Sequence, residues 1–350
     1  MSKHNDNIME ALSVTRSLAG EGFVVDEPAL LAHESKVTPT SVTFLQIAGG
    51  FLGSLAFLAL MFVLNIYDYP YLVLGLGALF TAISLLNSRL LKNSLPDTIS
   101  IFLYIIGCFL SMMGGVQLKL DTNLIISIVS GIAVISIITT KNKLIAFTAA
   151  VFFIASLIAF TSENRWENGI HAIVNLCLAI SFLLMAKESQ LLHARNRFSE
   201  TGSAIGSATA IAGLMIFHFI SLSHFMKMEE RFIWTSSLTA LAVCLLVIHK
   251  LSQSKWTTIV AALILAAPSI LAPAIVGGLA ITLIGFGYSK KTLWVLGVLS
   301  FIQFTIQFYY DLKFTLLDKS IMMMVTGALF LTAYFIYKSH ESKQANGSVQ

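Results

Sequence analysis

Apolar runs of about twenty residues follow one another from residue 42 to residue 338, with short polar segments between them. An α-helix of that length crosses the hydrocarbon core of a bilayer, which is about 30 Å thick. The pattern predicts an all-α, polytopic membrane helix bundle of about twelve transmembrane helices. The predicted spans are 42–65, 70–88, 97–115, 120–139, 143–161, 168–187, 205–225, 231–249, 256–270, 273–288, 291–310 and 319–338.

The ends of the chain differ in composition from these runs. Residues 1–40 are mixed and polar, and we interpret them as a cytosolic N-terminal helical segment. Because no apolar stretch begins near Met1, a cleaved secretory signal is not expected. Residues 41–338 form the predicted transmembrane domain, and 339–350 a short cytosolic tail.

The segment from Trp256 to Tyr288 is interrupted by Pro268 and Pro273, and its 33 residues suit either two short spans or one broken segment. Proline removes a backbone donor and clashes one turn back, so the helix is expected to break here. Broken helices expose backbone groups at membrane depth, where transporters bind ligands. Pro268, Pro273, Gly277 and Gly278 are therefore the candidate ligand-binding residues, with a tight turn between two helices as the alternative.

The distribution of basic residues favours twelve spans over eleven. With both termini cytoplasmic, twelve spans place sixteen of the 22 Lys and Arg residues on the cytoplasmic side, whereas eleven spans place fourteen there. Cytoplasmic loops are enriched in Lys and Arg, so the twelve-span arrangement is the better one.

Composition agrees with a membrane location. The chain is 56% hydrophobic and 11% charged, with a mean hydropathy of +0.82. Soluble domains carry about 25% charged residues, so the lipid bilayer is the expected partner of this surface. The net charge of +4 is small and scattered, which argues against a nucleic-acid partner.

Groups that could carry chemistry are scarce. No Asp, Glu, Lys or Arg lies near the centre of an apolar run, whereas ion-coupled transporters usually need a carboxylate there. His218 and His224 lie about 240° apart around a helix, so they do not form an i, i+4 metal pair. The sequence predicts no catalytic residue, no metal site and no cofactor.

Two small-residue patterns, Gly49/Gly53 and Gly202/Gly206/Ala210, fit an oligomer interface or close packing within the chain. The polar stretch FYYDLKFTLLDKS, residues 308–320, also has two readings. Its Thr315 and Asp318 fit the capped start of a last helix, so local structure explains much of it. Alternatively, Tyr309, Tyr310, Asp311 and Lys319 contact a partner protein.

The same stretch, preceded by LIGFGYSKKTLWVLGV at residues 283–298, resembles the C-terminal pattern of the domain-of-unknown-function 4401 family of bacterial membrane proteins. LAGEGFVVDEPAL in the N-terminal segment resembles the helical lead of the related 2157 family. The resemblance implies a multi-pass protein of the bacterial inner (plasma) membrane. It also implies a possible partner, a neighbouring-gene membrane protein with a GDYxxLxY motif, and it supplies no activity.

Two functional hypotheses remain open. The first is a membrane component of a multi-protein assembly, which suits spans without charge. The second is a facilitator or exporter of a small neutral or apolar molecule. An enzyme is less favoured, because no pairing of nucleophile and base is visible.

Overall fold

The computed structural model describes residues 40–90, 94–166, 168–188, 198–225, 233–252 and 255–311, with single positions at 190 and between 317 and 332. The chain divides into two compact units at Phe57, and the contacts discussed below all lie in the unit that begins at Leu58.

The described residues form α-helices joined by short turns, so the predicted all-α class is confirmed. Each of the first eleven predicted spans coincides with one helix. The predicted span 319–338 lies largely outside the described residues, as do 1–39 and 339–350, so the total of twelve and the side of each terminus stay predictions. The helices are α1 Thr40–Val63, α2 Pro70–Leu90, α3 Ser94–Gln117, α4 Thr122–Thr139, α5 Lys143–Glu163, α6 Gly169–Ala186, α7 Phe198–Phe225, α8 Ile233–Ser252, α9 Lys255–Leu271, α10 Pro273–Gly287 and α11 Lys291–Asp311, with a short 3-10 helix at Ile66–Asp68.

Eight of these helices, α2 to α8 and α11, are long and apolar enough to cross a membrane. Large apolar side chains also face outward, as on α11, where Leu299, Ile302 and Ile306 are about half exposed. Such a surface is stable in hydrocarbon and not in water, so the chain is a multi-pass membrane protein by length and composition.

Three helices end in the same kind of turn. Lys119, Arg165 and Ser289 follow α3, α5 and α10 with φ angles near +50°, in the left-handed region. In each case the next residue donates its N–H to a carbonyl five residues back, as Lys290 does to Gly285 at 2.7 Å. This closure satisfies helix-end carbonyls that have no other partner, and it allows turns short enough for antiparallel neighbours.

The hairpin of α2 and α3 depends on glycines that let the two backbones touch. A Cβ added at Gly77 would lie 2.6 Å from Ser111 N, and one at Gly107 would lie 2.8 Å from Thr81 N. The Thr81 hydroxyl donates to the Gly77 carbonyl at 2.8 Å, which satisfies it within its own helix. Small residues at both sides of the contact therefore hold these helices together.

The hairpin of α10 and α11 repeats this arrangement. A Cβ at Gly285 would lie 2.7 Å from Trp294 Cα, and one at Gly297 would lie 2.6 Å from Thr282 N. Thr282 donates to the Gly278 carbonyl at 2.8 Å, just as Thr81 does to Gly77. In each hairpin a threonine four residues after a glycine faces a glycine of the next helix.

The largest apolar core among the described residues lies among α5 to α11, and it includes Phe217, Ile281 and Phe304. Gly206 of α7 packs on α6, since a Cβ there would lie 3.1 Å from Met185 Cε. At this position the small-residue pattern serves contact within the chain.

The break between the ninth and tenth predicted spans falls at one residue. Ala272 separates α9 from α10, and Pro273 occupies the first turn of α10. Pro268 was expected to interrupt the helix too, but α9 continues past it to Leu271. Pro268 has no N–H to donate to the Ile264 carbonyl and crowds that turn, yet this loss of one backbone hydrogen bond does not end α9.

Helix α10 runs parallel to α8. Val276, near its start, lies beside Cys244, and Gly287, at its end, lies beside Val247 and Leu251. Since α9 begins three residues after α8 ends, α9 and α10 point in opposite directions. Residues 256–288 are therefore a helical hairpin, with arms of about 26 and 22 Å at 1.5 Å per residue.

We expect Gly107→Ala to lower the free energy of unfolding by about 1–3 kcal/mol, because its Cβ would meet the backbone of α2 at Thr81 N and Gly77 O as well as the Thr81 hydroxyl. Gly131→Ala on α4 is the control, since no heavy atom lies within 4 Å of its added Cβ. Thermal unfolding of the purified protein in detergent measures both. A Gly107→Ala protein that melts no lower than Gly131→Ala would contradict the packing described here.

Candidate functional site

The predicted ligand-binding residues lie in a closely packed region. A Cβ at Gly277 would lie 2.6 Å from Cδ2 and Cζ of the Phe217 ring, and one at Gly278 would lie 3.1 Å from Phe301 N. Pro273 is buried with them, while the side chain of Pro268 lies outside the described residues. Ligand binding at these four residues stays a prediction. Bulky substitutions at either glycine would displace a neighbouring helix, so a loss of flux would not by itself reveal a ligand.

The predicted partner contact lies at the end of α11. The rings of Tyr309 and Tyr310 meet edge to face with centroids 5.7 Å apart, and Tyr310 is 75% exposed. Asp311 is the last residue of α11, with its side chain outside the described part, and Lys319 also lies outside it. An aromatic pair with Tyr310 exposed is therefore available at this end of the helix.

Two histidines pair with neutral side chains across helices. His171 Nδ1 of α6 lies 2.9 Å from Ser236 Oγ of α8. His218 Nδ1 of α7 lies 3.3 Å from Gln303 Nε2 of α11. Such pairs satisfy polar groups inside spans and fix which helices are neighbours. Among the described residues, no three His, Cys, Asp or Glu side chains lie together as metal ligands. The side chain of His224 is outside the described part of the chain.

A charged contact joins the end of α6 to the turn between α10 and α11. Lys290 Nζ lies 2.8 Å from Glu188 Oε1, and each side chain is about one-quarter exposed. Lys250 Nζ lies 4.5 Å from the centroid of the Tyr288 ring. The Tyr288 ring also packs edge to face against the Phe182 ring. The sequence indicated only on which side of the membrane these lysines lie. It contains one acidic residue between α6 and α7, which is Glu188.

A set of hydroxyl groups was also missed. Six side chains in α2, α3 and α4 and the turn after α4 form what we call the hydroxyl cluster: Ser84, Ser88, Ser100, Tyr104, Ser136 and Thr140. They come as one i, i+4 pair from each of three consecutive apolar runs, so the spacing was readable in the sequence. The prediction of sites from charged residues did not include these neutral hydroxyl groups.

The cluster is held by contacts between each pair of segments. Ser84 Oγ donates to the Ser100 carbonyl at 2.5 Å, joining α2 to α3. Ser88 Oγ lies 3.5 Å from Thr140 Oγ1, joining α2 to the end of α4. The Tyr104 hydroxyl of α3 comes near Ser136 of α4 without forming a hydrogen bond to it. Five of the six residues are almost completely buried, and Ser88 is partly buried.

The comparisons with known proteins show the family of the chain. A family model described as a domain of unknown function, DUF4401, matches residues 39–339. The chain belongs to the DUF4401 family. The match confirms the resemblance read from the C-terminal stretch and covers every helix described above. No match was found among the curated proteins or the solved structures.

Membership in the DUF4401 family identifies the chain without supplying an activity, because the family itself is defined as one of unknown function. The resemblance of the N-terminal LAGEGFVVDEPAL stretch to the 2157 family lies before the matched region and is a separate expectation. The evidence for a function therefore lies in the side chains of this chain.

The ion pair between Glu188 and Lys290 makes a prediction about energetic coupling. Glu188→Gln and Lys290→Gln should each lower the free energy of unfolding by up to about 1 kcal/mol, as partly exposed pairs do. The double variant should cost less than the sum of the two single variants, because the second change removes nothing further. Thermal unfolding in low salt measures this, with the exposed Lys291→Gln as control. Strictly additive effects would show that the two side chains do not interact.

Proposed function

We propose that this DUF4401 protein is a membrane component of a multi-protein assembly in the bacterial inner membrane. The observation that carries the proposal is the Tyr309–Tyr310 pair at the end of α11, in which Tyr310 is exposed and Tyr309 partly buried. Tyrosine supplies a large, rigid contact area with one polar tip and is enriched where partners bind most strongly. Headgroup contact by an interfacial aromatic is the competing explanation of the same pair.

The interior of the described unit supports a structural role. Its spanning helices carry no charged residue near their centres, and the predicted ligand positions at Gly277 and Gly278 are filled by Phe217 and Phe301. Ion-coupled transport and most enzyme chemistry need an ionisable group placed where it can act. A chain that lacks such groups is better suited to holding other proteins in the membrane.

The partner that we propose is the neighbouring-gene membrane protein with a GDYxxLxY motif. Its tyrosines and leucine are matched in chemistry to an aromatic pair at a membrane surface, where rings pack edge to face and keep their hydroxyls in water. In this proposal Tyr309 and Tyr310 form the apolar part of the contact, and Asp311 and Lys319 form its charged rim.

Tyr310→Ala tests the contact. When the full chain is expressed with the GDYxxLxY protein and extracted in mild detergent, this substitution should reduce the co-purified partner about tenfold or more, the effect of losing a central aromatic anchor. Asp311→Ala with Lys319→Ala should have a smaller effect. Trp234→Ala is the matched control, because Trp234 is another aromatic at a helix end and is 54% exposed.

The yield of folded protein separates loss of contact from loss of fold. Reduced partner with unchanged folded yield supports the proposal, provided that Trp234→Ala retains the partner. Equal amounts of partner with wild type and with Tyr310→Ala would contradict it and leave the tyrosines as headgroup contacts.

A second function is favoured by the hydroxyl cluster. Passage of a small neutral molecule needs polar groups without charge inside the membrane, and the cluster places six hydroxyls in the described parts of α2 to α4 and the turn that follows. We propose facilitated movement of a small neutral molecule as the alternative to the assembly role.

A further inference from the structure

The hydroxyl cluster is organised as three matched pairs. Residues four apart lie on one helix face, so Ser84 and Ser88, Ser100 and Tyr104, and Ser136 and Thr140 each present two hydroxyls in the same direction. The contacts described above join the three pairs: Ser84 meets the Ser100 backbone carbonyl, Ser88 meets Thr140, and Tyr104 comes near Ser136.

Several of these hydroxyls are satisfied locally. Ser136 Oγ donates to the Ile132 carbonyl of its own helix at 2.7 Å. Thr140 Oγ1 accepts from the Asn142 N–H at 3.1 Å. A hydroxyl oxygen that donates once keeps acceptor capacity, so these groups can still receive a hydrogen bond from a further molecule.

Tyr104 is the exception. Its side chain is the largest of the fully buried ones, with an exposed fraction of 0%. Its hydroxyl lies within interaction range of Ser136 and Cys108, yet it makes no well-formed hydrogen bond with any described group. Burying a polar group without a partner is costly, and buried polar groups without a protein partner commonly hold water or a ligand.

The surroundings select a neutral ligand. No charged residue occurs in 70–88, 98–118 or 122–140, the stretches that carry the cluster. An ion in such a place would lose its hydration without an opposite charge to offset the cost. Hydroxyl groups both donate and accept, so they match another hydroxyl compound better than an ion or an apolar molecule.

The cluster runs from Tyr104 within α3 to the helix ends at Ser88 and Thr140. The ring of Phe152 on α5 packs edge to face against Tyr104, with centroids 6.2 Å apart. Ser88 and Thr140 lie at the helix termini predicted to be cytoplasmic. Their 3.5 Å contact is at the limit for a hydrogen bond and is longer than the 2.5 Å contact between Ser84 and Ser100.

We infer that the hydroxyl cluster is a binding site for a small neutral hydroxyl compound, either water or a short polyol, held by Tyr104 and Ser136 and entered between Ser88 and Thr140. The inference deepens the second proposed function and does not depend on the assembly role.

The sign of one stability change tests the site. If the Tyr104 hydroxyl had no partner, Tyr104→Phe would leave the Tm unchanged or raise it, because a buried unsatisfied group is removed. If the hydroxyl holds a bound molecule, Tyr104→Phe lowers the Tm by a few degrees, and we expect this result for the full chain in detergent. An unchanged or higher Tm overturns the inference.

A serine pair on one helix supplies the matched control. Ser136 and Ser127 both lie on α4 and both donate to the carbonyl four residues back at 2.7 Å, but Ser127 is exposed and outside the cluster. We expect Ser136→Ala to lower the Tm and Ser127→Ala to leave it nearly unchanged. Equal effects would show that the hydroxyl acts only within its own helix, which also overturns the inference.

Osmotic swelling of proteoliposomes distinguishes the two ligands and tests the transport role separately. Glycerol entry above that of empty liposomes, reduced several-fold by Ser136→Ala and Tyr104→Phe but not by Ser127→Ala, identifies a polyol and supports facilitation. A lower Tm of Tyr104→Phe without glycerol entry identifies bound water: the site then stands, and facilitated transport of polyols fails.

Discussion

The constraint on which this structure depends is that a helix in hydrocarbon gains stability from another helix only by close contact or by hydrogen bonding. Lipid tails are as apolar as leucine, so apolar area alone does not hold two spans together. Gly77, Gly107, Gly285 and Gly297 answer this constraint, since each brings its own backbone within touching distance of a neighbouring helix backbone. The turn after α10, which satisfies helix-end carbonyls, keeps α10 and α11 adjacent.

Polar groups are distributed according to the same constraint. Within the described spans, the polar pairs that join helices are neutral, as between His171 and Ser236 and between His218 and Gln303. The ion pair of Glu188 with Lys290 and the contact of Lys250 with Tyr288 lie at helix ends. Neutral pairs specify neighbours inside the membrane at small cost, whereas charged pairs are stable where water can reach them.

Much of this fold was predictable from the sequence, because a run of about twenty apolar residues has few stable conformations in a membrane other than a helix. The ends of the helices at short polar segments were predictable for the same reason. Pro268 was expected to end the helix, but it costs α9 one backbone hydrogen bond without ending it, and the break falls four residues later at Ala272.

The candidate sites were less predictable, and the reason is geometric. Gly277 and Gly278 mark a close approach, but the sequence does not say whether a ligand or a ring such as Phe217 approaches. Ser88 and Thr140 are 52 residues apart in the sequence. Their contact arises only when the end of α2 packs beside the end of α4. What the sequence did hold was the i, i+4 spacing of hydroxyls in three consecutive runs.

The central claim is that hydroxyl side chains carried by separate, charge-free spans lie in contact, as Ser88 of α2 does with Thr140 after α4, and cross-linking tests it most directly. In a background with Cys108, Cys177 and Cys244 replaced by Ala, the pair Ser88→Cys and Thr140→Cys should form a disulfide rapidly on mild oxidation in native membranes. The control pair, Ser88→Cys with Ser127→Cys, joins the same two helices at a position more than three turns away and should not. Cross-linking of both pairs alike, or of neither, would contradict the arrangement of α2, α3 and α4 on which the account rests.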